Sequence, residues 1–161
     1  MSSTSAGPHQ HDAPIDAVHD TADERLRNDG QRYTENRRML VAALAHADRP
    51  VTVPELLDAT DGMAQSSAYR NLAVLEVAGV VRRLVATDDT ARYELAEDLT
   101  GHHHHLICDS CGSIVDIEVP AALETGVARL ASDVATAHGF RIEHHRLDLV
   151  GVCAACVRAG A

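Results

Sequence analysis

His102-His103-His104-His105-Leu106-Ile107-Cys108-Asp109-Ser110-Cys111-Gly112 sets four imidazoles directly ahead of a C-x-x-C pair. A second pair, Cys153 and Cys156, follows after residues 112–152, and these four are all the cysteines of the 161-residue chain. Four thiolates in two pairs match a closed tetrahedral zinc site drawn from two segments. A thioredoxin-like pair would open a helix, whereas Cys111-Gly112 runs into Ser113-Ile114-Val115-Asp116-Ile117, which reads as strand. Residues 102–161 are too few for a strong core of their own, so structural zinc there contributes to folding directly.

The histidine run leads into an apolar strand, whose side chains alternate between faces. His102 and His104 project one way, His103 and His105 the other, and each pair needs one or two further ligands to make a site. Candidates are Glu94, Glu97 and Asp98 before the run, Asp116 on the paired strand and Glu124 on the following helix. On the final strand, His145 lies on one face with Leu147 and Leu149, and His144 points to the other. Two further centres with nitrogen and oxygen ligands are expected, both more exchangeable than the cysteine site. The helix between the strands starts after Pro120 and carries Leu123, Val127, Leu130 and Val134 to His138-Gly139. Such a unit, with one apolar helix face, is expected to pair with a copy of itself in a homodimer.

Toward the N-terminus the pattern is helix, helix, helix, hairpin. Thr34 is a candidate cap for a helix through Leu40, Ala43, Leu44 and Ala47. Thr52-Val53-Pro54-Glu55 has the form of a capping box. Ser66 or Ser67 caps a third helix through Ala68, Leu72, Leu75 and Ala78, closed by Gly79 at a left-handed position. Val80–Val85 and Ala91–Leu95 flank an acidic turn at Asp88-Asp89 and read as a hairpin. This is the order of a winged helix-turn-helix, whose third helix enters the major groove of double-stranded DNA. Ser67, Tyr69, Arg70 and Asn71 on that helix suit base-edge and phosphate contacts, and Arg32, Arg37 and Arg38 suit the DNA backbone.

The expected class is α+β: a flexible acidic tail (1–23), a winged-helix domain (24–96), a hinge (97–101) and a metal-binding dimerisation domain (102–161). His9, His11 and His19 in the tail are expected to be solvated. A formal charge of −10 argues against nucleic acid at first sight, but ten of the 14 Arg fall within residues 25–95. A local arginine face binds phosphate whatever the sign of a remote acidic half. No apolar run is long enough for a membrane span, and Met1–Pro8 has no leader-like pattern, so a cytoplasmic protein without membrane partners is expected. No HExxH-like helix supports a zinc hydrolase, and a metal buffer would have no use for the arginine-bearing reader.

From about residue 24 to 157 the chain resembles the ferric uptake regulator (Fur) family. The resemblance rests on Gly30-x-x-x-Thr34-x-x-Arg37, Ala68-Tyr69-Arg70-Asn71-Leu72, the stretch 102–112, and His145-x-Leu147-x-Leu149-x-Gly151-x-Cys153-x-x-Cys156. It implies a dimeric repressor that binds its operator when loaded with a regulatory metal. It implies structural zinc on Cys108, Cys111, Cys153 and Cys156. It assigns His103, His105 and Asp116, with Glu94, to the sensing site between the domains, and His102, His104, Glu124 and His145 to a third site. Three departures stand out. Pro50 occupies the place of a His usual in iron and peroxide sensors, Asp98 stands near the place of a Cys usual in zinc sensors, and the helix after Pro120 is about one turn longer. The lost His favours zinc as the regulatory metal, with iron or manganese as the alternative.

Overall fold

The computed structural model describes residues 14–47, 49–85 and 88–160. The chain enters as a helix, α1 (Ile15–Asn28), where a tail was expected through residue 23. Val18, Ala22 and Leu26 recur every four residues and are buried, so the intervening acidic positions are the wet face of an amphipathic helix. His9 and His11 lie outside the described residues. His19, expected to be solvated, is half-buried on α1 with Nδ1 2.5 Å from the Tyr33 hydroxyl.

Thr34 has the extended backbone of an N-cap for α2 (Glu35–His46), but its side chain makes no cap hydrogen bond. The capping box does form: Glu55 accepts from the Thr52 N–H at 2.7 Å, Thr52 accepts from the Glu55 N–H, and α3 (Val53–Ala59) begins there. Just before it, Val51–Thr52 makes a short strand, β1, that the sequence pattern does not announce. The third helix of the reader, α4 (Gln65–Val77), starts before either serine expected to cap it, with Ala64 at the N-cap and no side-chain cap. Ser67 is occupied elsewhere, its hydroxyl accepting from Asn36 at 3.1 Å and from Asn71 at 3.2 Å. At the far end Gly79 adopts φ +68°, its N–H bonds to Glu76 O, and the Val80 N–H reaches Leu75 O at 2.9 Å. That pair of bonds satisfies the last carbonyls of the helix, as its glycine predicts.

The wing is β2 (Val81–Val85) and β3 (Ala91–Leu95), in a three-stranded antiparallel sheet of order β1-β3-β2. One apolar core, including Leu26, Leu40, Leu56, Leu72, Leu75 and Val80, joins α1–α4 to this sheet. The expected hinge begins as a helical turn, α5 (Glu97–Thr100), whose Leu99 belongs to that core. The chain breaks free only at Gly101, at φ +97°.

Beyond it, β4 (His104–Cys108) pairs antiparallel with β5 (Ile114–Ile117) and parallel with β6 (Asp148–Gly151). The intervening helix α6 (Ala121–His138) ends at left-handed Gly139, as expected. The final strand is shorter than expected: it starts at Asp148 and excludes His144 and His145. A short helix, α7 (Ala154–Ala159), follows Cys153. Helix α6 buries none of its residues; Leu123, Leu130 and Val134 on one side of it, and Phe140 and Ile142 after it, are exposed. Leu84 of the wing and Ile114 of β5, with Ile107, make a small second cluster across the two halves.

Candidate metal centres and DNA-facing surface

Strand register assembles the inner centre. His105 on β4 stands opposite Asp116 on β5 and opposite Asp148 on β6, so both carboxylates fall on its face of the sheet. His103, two residues earlier, shares that face. Across the domain junction the wing contributes Glu94, whose Oε2 lies 3.1 Å from His105 Nε2 and 3.4 Å from His103 Nε2. Asp116 approaches the same two nitrogens at 3.8 and 4.0 Å. One ligand atom from each of Glu94, His103, His105 and Asp116 lies within 4.8 Å of all the others. Both imidazoles are anchored through the opposite nitrogen, His103 Nδ1 on Gly101 O at 3.0 Å and His105 Nδ1 on Asp148 at 3.3 Å. Such anchoring fixes the tautomer and leaves Nε2 for a cation.

Glu94 is buried, and burial alone pushes a carboxyl up. Hydrogen bonds from His103, His105 and Arg82 outweigh it and hold Glu94 well below the usual carboxylate range. The same bond to Glu94 raises His103. Arg82 stands opposite Glu94 in the hairpin and binds its Oε1 through Nε at 3.0 Å and Nη2 at 2.5 Å. Of the three acids weighed from sequence, Glu94 joins this centre. Glu97 pairs with Arg82 and His102, and Asp98 with Arg25 of α1.

The other face of β4 carries the outer centre. His104 is buried against Glu124 of α6, and His102 and His145 approach the second Glu124 oxygen at 3.2 and 3.4 Å. His102 Nε2 and His145 Nε2 are 3.2 Å apart, so this set also converges on a point. His145 reaches it from the segment ahead of β6, while His144 is exposed and outside the set.

At the third cluster, Sγ of Cys108 is 4.0 Å from that of Cys156, and Sγ of Cys111 is 3.9 Å from that of Cys153. Tetrahedral zinc with sulfur at ~2.3 Å requires sulfurs about 3.8 Å apart, so the four thiols fit zinc. The backbone N–H groups of Cys153 and Cys111 lower the Cys108 thiol to about 6, and the Cys156 N–H lowers Cys153. Both shifts favour the thiolate that binds metal, whereas at Cys156 a bond with Ser110 is outweighed by those with Cys153 and Cys111, which push that thiol up to about 12.

On α4, Tyr69 is 48% exposed and Arg70 is exposed beside it, with Ser66 and Gln65 on the same outer side. Ser66 is a polar group on this surface that the sequence reading used only as a cap. Arg32 is exposed on the approach to α2. Arg37 and Asn71 are turned inward: Arg37 is buried and donates to Asn71 Oδ1 at 3.1 Å and to Arg32 O at 2.5 Å. Asn71 donates to Ser67 O at 2.9 Å. Together they pin α2 to α4 and the loop before it.

The profile of the ferric uptake regulator family matches residues 28–150. The chain belongs to that family. The peroxide operon regulator of Bacillus subtilis (strain 168) is 34% identical over 137 residues, 83% of this chain and 89% of that protein. A solved zinc-bound manganese uptake regulator is 31% identical, with TM-score 0.58 over 83% of this chain and 98% of that one. The Helicobacter pylori ferric uptake regulator, solved with three functional metal binding sites, superposes with TM-score 0.70 at 20% identity over 90% and 95% of the two chains. That last likeness shows the fold. The chain is thus a Fur-family metal-responsive transcriptional regulator and not an enzyme. Among the described residues no helix is long and apolar enough to cross a membrane. The relatives are named for peroxide, manganese and iron, so membership of the Fur family leaves the metal open.

Proposed function

We propose that this Fur-family chain is a homodimeric, zinc-responsive repressor of metal-uptake genes, acting in the cytoplasm. The observation that carries the reading is the division of the inner centre. Glu94 belongs to the wing of the DNA reader, His105 and Asp116 belong to the β4–β5 sheet, and His103 stands directly ahead of β4. A cation held there would supply a bond between the two halves. Glu94, drawn to the two imidazoles, sets the distance of the wing from the sheet, and Leu84 against Ile114 supports that approach. Arg82 keeps Glu94 in its rotamer, and Asp148 does the same for His105. A ligand that binds the closed arrangement better than the open one shifts the population toward it, and DNA binding follows.

Two imidazoles and two carboxylates converging on one point suit tetrahedral zinc. The carboxylate share of the same set favours iron or manganese as the second reading. The exposed apolar side of α6 and the segment after it support a second copy as cover, since monomers rarely expose a patch of this kind. In a two-fold dimer the two α4 helices, each with Tyr69 and Arg70 outward, would meet successive half-sites. Elemental analysis combined with operator binding under titrated zinc, iron and manganese tests the whole reading. Zinc is expected to switch binding on at the lowest free concentration, and His103→Ala with His105→Ala to leave a folded protein blind to metal. Unchanged metal-dependent binding by that variant would refute the reading.

A further inference from the structure

The two histidine-rich clusters are joined by side chains that neither needs for its own ligand set. Arg82 engages Glu94 Oε1 at the inner cluster and, through Nη1, Glu97 Oε2 at 3.1 Å. The other oxygen of Glu97 pairs with His102 Nδ1, and His102 Nε2 faces Glu124 and His145 in the outer cluster. Glu97 and Arg82 are 20% and 29% exposed, shielded enough for the line of contacts to persist. The outer cluster opens on a cleft of about 680 Å3 lined by Arg82, Glu97, His102, Glu124 and His145, whereas His105, Glu94 and Asp116 are buried.

We propose that Arg82 and Glu97 couple the two centres, so that filling the outer cluster raises the affinity of the inner one for a divalent cation. This rests on the reading of both clusters as metal centres. A guanidinium left alone with a carboxylate settles on both of its oxygens. Here both nitrogens of the Nε–Nη2 edge share Oε1 of Glu94 while the third prong, Nη1, is drawn to Glu97, so the guanidinium is held off Oε2, which stays aimed at His103 and His105. Glu97 keeps that prong as long as its own carboxylate is held, and His102 holds it. His102, were its Nε2 given to a cation, would keep its proton on Nδ1, the state that donates to Glu97. With the outer cluster empty, His102 is free to turn or exchange tautomer, Glu97 loosens, and Arg82 closes over the oxygen the inner centre requires. By linkage, the inner centre strengthens the outer one by the same factor.

The test is a cobalt(II) titration against a competing chelator, on protein whose cysteine cluster carries zinc. The ligand-field absorption abolished by His103→Ala reports the inner centre. Its affinity is measured in the native chain and in His145→Ala, which disables the outer cluster, and then in both backgrounds carrying Glu97→Ala. The native chain is expected to exceed His145→Ala by about tenfold or more, and Glu97→Ala to bring that ratio close to one. Arg82→Gln should do the same if Glu97→Ala folds poorly, with zinc content and thermal unfolding as the check on folding. A native ratio of one, or a ratio that survives both substitutions, overturns the coupling alone. Native protein that binds no metal beyond the cysteine zinc overturns the metal-centre reading, and the coupling with it.

Discussion

Replacing Glu94 by Gln probes the inner centre with the least change of shape. Oε2 of Glu94 lies 3.1 Å from His105 Nε2 and 3.4 Å from His103 Nε2, and Arg82 holds the other oxygen. Glutamine keeps the volume and removes the negative charge between two imidazoles and a guanidinium. Losing an outer partner of a metal ligand costs about 10–100-fold in affinity. Losing a direct ligand should therefore cost at least about 100-fold, or ~2.7 kcal/mol. Zinc at the cysteine cluster should be unaffected, because it draws on different strands. The pH profile should move as well. Chiefly through the bond it donates to Glu94, His103 sits above its ordinary 6.5, and a protonated imidazole is no ligand. Native affinity should thus climb as pH rises through a value above 6.5, whereas in Glu94→Gln the climb comes at lower pH.

The metal-free protein has its own pH window. The raised His103 contributes stability that is complete below 6.5 and lost as pH rises through its folded value. The depressed Glu94 contributes stability present above 4.5 and lost as pH falls through its folded value. The metal-free junction is therefore firmest between 4.5 and 6.5. Competition titrations with a chromophoric chelator across a pH series measure the metal side of this. An inner-centre affinity within about threefold of native at neutral pH, with an unmoved profile, refutes the argument.

Three further outcomes are expected. Leu26→Ala should cost about 2–5 kcal/mol in denaturant unfolding, because Leu26 is fully buried in the core of the reader; a loss below about 0.5 kcal/mol would mean that α1 is the loose tail its composition suggests. Arg37→Ala should cost about 1.5–3 kcal/mol through its lost charged hydrogen bonds, while Arg32→Ala leaves stability alone. Were Arg37→Ala to weaken operator binding without destabilising the fold, its inward role would be wrong. Tyr69→Ala and Arg70→Ala should lower operator affinity at unchanged metal content, read by DNA titration beside elemental analysis, and equal affinity would remove α4 as the reading helix.

The metal half was legible because its chemistry is tied to short spacings. Two C-x-x-C pairs and the alternation of four His running into β4 carry over directly from residue order to three separate side-chain clusters. The capping box at Thr52 and Glu55 was equally local. Helix α1 was legible only as a helical turn from Arg25 to Asn28, because its stripe is three modest residues, Val18, Ala22 and Leu26, set among acids and His that suggest a solvated chain. Arg37 reads as a phosphate contact because an arginine near a helix start looks the same in sequence whether it faces water or the neighbouring helix. The cap expected at Ser66 or Ser67 failed for a similar reason, since Ser67 spends its hydroxyl on partners 31 and 4 residues away.

By itself, then, the sequence determined which candidate ligands exist and how they divide into sets, since backbone alternation is a local rule. Which acid completes the inner centre it gave only through the family resemblance, since spacing alone left Glu94, Glu97 and Asp98 open. An acidic turn centred between Asp88 and Asp89 would set Arg82 opposite Leu95. The folded hairpin sets Arg82 opposite Glu94, with Asp89 at φ +56° in the turn. A slip of one residue moves every side chain to the other face. Only the packed hairpin, with Leu95 turned into the core and Glu94 toward the histidines, decides that Glu94 meets the inner pair while Glu97 is left to Arg82 and His102.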